Sequence, residues 1–190
     1  AESVLESGSI DMVAMGRASL ADPEMPNKAL KGELDDIVHC IACTQGCIGE
    51  KARGSVLCCL VNPRLGHESE SEYTIQPAQK KKKVFVLGGG ISGCETAIVA
   101  AQKGHNVTIF EQTGVLGGLW NAAAIPLAKT EFATLVARQQ YQIKKFGIHV
   151  HYNQVLTKEL LEKENPDTIV VAIGGNPFIP PIKGLDNYVT

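Results

Sequence analysis

The sequence predicts an α/β fold built on a mainly parallel sheet. Two observations carry that expectation. From Lys83 onward short apolar strands alternate with helices, and the first strand runs into a glycine loop that opens a helix. A third observation divides the chain: residues 34–76 have little hydrophobic periodicity yet hold five of the six cysteines.

Taken in order, residues 1–33 read as a helix, Gly8, a buried strand Ile10–Met15, then Gly16-Arg17 and a polar helix that ends near Lys31-Gly32. One helix–strand–helix unit is too short to bury a core alone. Gln76-Pro77 and the Lys80–Lys83 run mark a boundary, which divides the chain into 1–33, 34–79 and 80–190. Beyond it, Val84–Leu87 is a buried strand, Ser92–Lys103 a helix closed by Gly104, and Asn106–Glu111 a second strand. Thr130 is expected to cap an amphipathic helix that runs to Phe146 and stops at Gly147. Strands follow at Ile148–Tyr152 and Thr168–Ile173, with a short helix, Thr157–Glu164, between them.

Lys and Arg number 18 against 20 Asp and Glu, a net charge of −2, so nothing in the balance points to nucleic acid or an anionic membrane. The lysine run reads as a solvated strand entrance. No apolar run approaches the ~20 residues that span a bilayer. No export signal is expected, and three cysteines crowded into eight residues suit metal ligation in a reducing, cytoplasmic setting. The chain opens on Ala1 in what reads as mid-helix, so a piece of a longer protein is expected.

The cysteines are spaced Cys40-x2-Cys43-x3-Cys47-x11-Cys59. One turning loop can then present three thiolates to a point, with a fourth from a distance. That pattern favours an iron–sulfur cluster over structural zinc, which more often uses two separated pairs; zinc, disulfides and free thiols stay open. Spacing does not choose between Cys58 and Cys59. Cys94 reads as packing. His39 can bond a cluster sulfur or be an ordinary surface residue, and His149 and His151 read as structural.

Gly88, Gly90 and Gly93 form G-x-G-x-x-G between a strand and a helix, the setting in which glycines allow a tight turn, close approach of pyrophosphate, and helix–strand packing. The helix N-terminus then faces phosphate. Glu111 lies 23 residues after Gly88, where a carboxylate can accept from ribose hydroxyls. The pattern defines a Rossmann-like dinucleotide site without separating FAD from NAD. Two later features favour FAD: a second close-approach loop, Gly117-Gly118-Leu119-Trp120, and a strand ending in small residues around Ala172 and Gly174, before Pro177 and Pro180-Pro181. For Trp120, stacking near a flavin and ordinary packing are equally open.

With these pieces assembled, the chain resembles the NADH:flavin oxidoreductases of the 2,4-dienoyl-CoA reductase, 2-enoate reductase and trimethylamine dehydrogenase family. The resemblance rests on DMVAMGRASLADPEMPNK (11–28), CIACTQGC (40–47), CLVNPRLGHE (59–68), the glycine loop, GGLWNAAAIP (117–126) and VVAIGGNPFIPPIKGLD (170–186). It implies that residues 1–33 are the end of a (β/α)8 barrel, with Gly16 and Arg17 at an FMN phosphate. It also implies that Cys59 is the fourth cluster ligand and Cys58 a bystander. The implied cofactors are FMN, one [4Fe–4S] cluster and FAD (or only ADP), with NAD(P)H as co-substrate.

The implied activity is a relay from NAD(P)H through FAD and the cluster to FMN, which reduces an activated C=C bond in a small-molecule substrate. No catalytic residue for that substrate is expected within the chain. Competing expectations are an amine dehydrogenase of the same family, passing electrons to an electron-transfer flavoprotein, and a zinc-stapled nucleotide-binding module. Neither nucleic acid nor membrane is an expected partner; a homo-oligomer is one option for the assembly.

Overall fold

A computed structural model of the protein describes residues 2–176 and 180–183. Pro177 and the last residues of the 170–186 motif lie outside the described residues. The chain begins with α1 (Glu2–Glu6), followed by Gly8 at φ 67°. Residues 10–15 do not form the expected strand; they are irregular and exposed. A strand exists only where a neighbour completes its ladder, and among the described residues no strand pairs with this stretch.

The polar helix is also two helices, α2 (Gly16–Ala21) and α3 (Met25–Leu30). The break falls at Asp22-Pro23, because a proline pushes the preceding residue into extended backbone, and Asp22 has φ −147° and ψ 97°. A 3₁₀ turn at Leu34–Asp36, a π-helical turn at Gln45–Gly49 and the short α4 (Glu50–Ala52) make up most of the ordered backbone of the cysteine segment.

The regular part follows as β1 (Lys83–Leu87), α5 (Ile91–Gln102), β2 (Asn106–Phe110), α6 (Leu119–Ala123), α7 (Phe132–Lys145), β3 (His149–His151), α8 (Lys158–Glu164) and β4 (Thr168–Val171). The strands form one parallel sheet in the order β3-β2-β1-β4. Central β1 is buried on both faces, which is why VFVL reads as a continuous apolar run rather than an alternation.

Val84, Val86, Ile109, Ile98, Ala97 and Cys94 form the core with Ile143 and Ile148. Ile109 and Val86 are fully buried, so truncating Ile109 to Ala should cost about 2–5 kcal/mol. Thr157 caps α8 as its position suggests, accepting from the Leu160 amide at 3.3 Å. Thr130 does not cap α7. Its backbone is already helical (φ −59°, ψ −28°), whereas an N-cap is extended, so the helix begins after Glu131 with no side-chain cap. No helix among the described residues is long and apolar enough to cross a membrane.

Candidate functional site

The turn between β1 and α5 shows why each glycine is there. Gly88 sits at φ 99°, and a Cβ on it would lie 2.4 Å from the Ala172 carbonyl oxygen. A Cβ on Gly93 would lie 1.9 Å from the Gly88 carbonyl oxygen and 3.4 Å from the Ala172 methyl. These two glycines let the loop, α5 and the end of β4 close on one another, and the Ala172 amide continues the ladder onto Leu87 O at 2.8 Å. At Gly90 nothing lies within 4 Å of an added Cβ. That open space sits at the N-terminus of the twelve-residue helix α5, where free amides and the helix dipole favour a phosphate.

The second loop is brought against the first. The Gly117 amide donates to Gly89 O at 2.8 Å, Gly90 and Gly117 form an isolated parallel bridge, and Gly118 (φ 54°) would place a Cβ 3.3 Å from the Gly90 Cα. Leu119 begins α6 and is exposed. Gly174 lies just past β4 at φ 68° with open space beside it. Trp120 is a packing residue: its indole N–H donates to Phe132 O at 2.9 Å and its ring stacks on Phe132 at 4.6 Å.

Glu111 is 5% exposed just beyond β2. One carboxylate oxygen accepts from the Gly89 amide at 2.7 Å, and the other from the Thr113 amide and hydroxyl, both at 2.8 Å. The carboxylate is thus fixed beneath the loop, with lone-pair capacity left for hydroxyl donors. Gly89 is the residue that motif spacing passed over. A Cβ there would meet Leu116 at 2.4 Å and the Glu111 carboxylate at 3.0 Å, and only the three-glycine run hinted at it. Cys94 donates to Gly89 O at 3.2 Å, and burial, with Glu111 and Glu95 nearby, pushes its thiol up to about 12. It stays protonated and packs.

The cysteine segment is built differently. Ala42 (φ 53°) and Thr44 (φ 57°) hold the left-handed conformation that side chains disfavour, so the loop between Cys40 and Cys47 reverses sharply twice. Alternation of this kind turns amides inward and suits an anionic group. The Ala42 amide points at the Cys40 sulfur at 3.4 Å. Cys47 lies in the π-helical turn, and Gly46 must be glycine because a Cβ would strike the Cys58 carbonyl oxygen at 2.3 Å.

Cys40, Cys43, Cys47, Cys58 and Cys59 surround one void of about 20 Å³, with Arg17 at its rim. The four residues named as ligands are all half-buried, whereas Cys58 is exposed, its amide tied to Gly46 O at 3.0 Å. The thiols line one space, and their number and type suit a group held by several thiolates, as in iron–sulfur and zinc sites. Gly16 opens α2 with free space beside it, and the exposed Arg17 follows. His39 lies beside the cysteine loop, and exposed His151 stacks on Phe110 at 5.0 Å.

A glycine loop, a fixed acidic residue after the second strand and a closing small-residue segment define a dinucleotide-binding domain. Residues 83–169 match the FAD dependent oxidoreductase family. The chain is 39% identical over 184 residues to bilirubin reductase of Mediterraneibacter gnavus, covering 97% of this chain and 28% of that protein. It is 37% identical to cinnamate reductase of Clostridium sporogenes, covering 95% and 27%. The solved complex of 2-naphthoyl-CoA reductase with 2-naphthoyl-CoA superposes with a TM-score of 0.92 at 40% identity, covering 98% and 28%. The chain belongs to the NADH:flavin oxidoreductase family that its motifs resemble, that of the enoate reductases and amine dehydrogenases. It spans about 28% of the length of the relatives it matches.

Proposed function

We propose that this chain is the FAD- and cluster-binding part of an NAD(P)H-dependent reductase of activated C=C bonds, with a boundary near residue 79 between cysteine segment and nucleotide domain. The observation that carries the reading is the gathering of five cysteines on one void in a chain that also forms a dinucleotide-type glycine loop. The names of the similar reductases, of bilirubin, cinnamate and 2-naphthoyl-CoA, favour an unsaturated substrate over an amine.

The residues divide the work. Gly88 and Gly93 shape the turn, Gly90 leaves room for pyrophosphate at the start of α5 with Gly117, Gly118 and Leu119 bordering it, and Glu111 holds the turn and accepts from ribose. Ala172 and Gly174 line the exit of β4. Cys40, Cys43, Cys47 and Cys59 hold the [4Fe–4S] cluster, and on the family resemblance Gly16 and the exposed Arg17 would meet an FMN phosphate. Held by these residues, FAD and the cluster would supply the splitting of a hydride into a proton, released from the flavin, and two electrons passed on singly.

The test is the cofactor content of the purified protein. Iron and sulfide in near-equal amounts, with visible absorbance that bleaches on reduction and FAD or ADP released on denaturation, support the reading. Zinc in a colourless protein sinks it in favour of a stapled nucleotide-binding module. Oxidation of an amine, with no NADH-dependent enoate or enoyl-CoA reduction, would assign the other branch of the family.

A further inference from the structure

Electron carriers must be held at a set separation, yet the cysteine segment packs poorly on the nucleotide domain. Leu60, Val61 and Pro63 face Val99 of α5 and Leu135 of α7 across a cleft of about 760 Å³. Among the described residues every side-chain hydrogen bond joining residues 2–79 to residues 80–183 ends on one carboxylate, that of Asp36. Gln142 of α7 donates to it, and the Lys145 ammonium donates to both of its oxygens at 2.6 and 2.7 Å. One backbone bond, Ala78 N to Lys103 O at 2.9 Å, joins the two parts elsewhere.

The same residue is tied back toward the cysteines. Lys28 donates to Asp36 O at 3.1 Å and to the Asp22 carboxylate at 2.6 Å. Asp22, 3% exposed, accepts from the amide of Val38, two residues before Cys40, at 2.8 Å. Asn62, three residues after Cys59, donates to Leu20 O at 2.9 Å. Both ends of the cysteine loop are therefore pinned to the Gly16–Leu30 helices, and the pinned unit meets α7 at Asp36.

We propose that Asp36 is the positioning residue that docks the cysteine segment onto helix α7 and so sets the separation of cluster and flavin. The inference rests on the relay reading above, in which NADH supplies the electron pair and one electron at a time leaves the reduced flavin for the cluster. The Asp36 side chain is only 13% exposed, whereas Lys145, at 42%, lies at the solvent edge of the pair, so the Gln142 bond carries part of the docking.

The test uses the cofactor-loaded protein with Asp36→Ala, Asp36→Glu and Lys145→Met, the last removing the same ion pair from the α7 side should Asp36→Ala fail to fold. With iron and flavin at wild-type levels, amides of residues 37–62 should exchange roughly tenfold faster in Asp36→Ala, while those of β1 and β2 do not change. In stopped-flow mixing with NADH, flavin reduction should keep its rate and cluster reduction should slow by roughly tenfold or more. Asp36→Glu should recover much of both effects. Unchanged exchange and cluster reduction in loaded Asp36→Ala overturn the clamp, as do flavin and cluster rates that fall together. A wild-type protein carrying zinc overturns the relay reading and the electron-transfer half of this proposal, a result distinct from failure of the clamp.

Discussion

The nucleotide domain and the cysteine segment lie side by side and are held by opposite means. Around β1 and β2 the chain buries Val84, Val86, Ile98 and Ile109 almost completely, with a hydrogen-bonded ladder on either side. Between residues 34 and 76 only Ile37 and Ile41 are buried large apolar side chains. What holds that stretch is a set of polar pins and two residues in left-handed backbone, arranged around thiols. The first region is held by apolar burial and a backbone ladder. On the proposed reading, the stability of the second should follow from what the thiols bind.

The largest test of this contrast removes a thiol. Cys59→Ala should abolish the cluster, with loss of iron, sulfide and visible absorbance, and should free the amides of residues 37–62 while those of β1 and β2 stay protected. Cys58→Ala should leave iron content at the wild-type level, because this exposed residue contributes its backbone, tied to Gly46, rather than its sulfur. The reverse result would shift the fourth ligand by one position. Loss of protection across the sheet as well would break the contrast itself.

Two glycines of the same turn sharpen the difference between shape and binding within the nucleotide domain. Gly93→Ala drives a methyl into the Gly88 carbonyl and should destabilise by about 1–3 kcal/mol, read as a lower midpoint in thermal or urea unfolding. Gly90→Val meets open space at φ −70°, so unfolding should move by less than about 0.5 kcal/mol. Its side chain fills the phosphate cradle instead. FAD or ADP binding should weaken at least about tenfold, a difference of ~1.4 kcal/mol, with iron retained. A Gly90→Val protein that binds nucleotide normally would remove the cradle from the site.

The nucleotide site was legible because each of its parts is local. A strand, a turn that needs glycine and a helix N-terminus leave their signs within a dozen residues, and Glu111 follows at the end of the next strand. Gly89 escaped because its constraint comes from Leu116 and Glu111, which motif spacing does not include. The strand expected at 10–15 failed for a related reason: an apolar run becomes a strand only beside partners. Thr130 was a plausible cap by residue type, but the turn after Pro126 had already carried it into helical backbone. Least legible of all was Asp36. Its bond to Gln142 spans 106 residues, and nothing in either local sequence announces the other.

The smallest expected effect is a pH dependence at that junction. Burial raises the Asp36 carboxyl, but the hydrogen bonds from Lys145 and Gln142 and the Lys145 and Lys28 charges outweigh it, holding the group below its ordinary 3.8. The Asp36 bond holds Lys145 above its ordinary 10.5 against a smaller effect of burial. A depressed carboxylate contributes stability above its unfolded value and loses it as pH falls through the folded one. A raised lysine contributes below its unfolded value and loses it as pH rises through the folded one. The clamp should therefore hold steady through neutral pH and loosen only below about 4 or above about 10. Exchange of residues 37–62, corrected for the intrinsic pH dependence of amide exchange, should accelerate toward acid in the wild-type protein. Asp36→Asn, already lacking the charge, should show a flatter acid limb and no change in the β1 and β2 amides. An acid limb identical in both proteins would place the pH-sensitive contact elsewhere and leave Asp36 a docking residue by geometry alone.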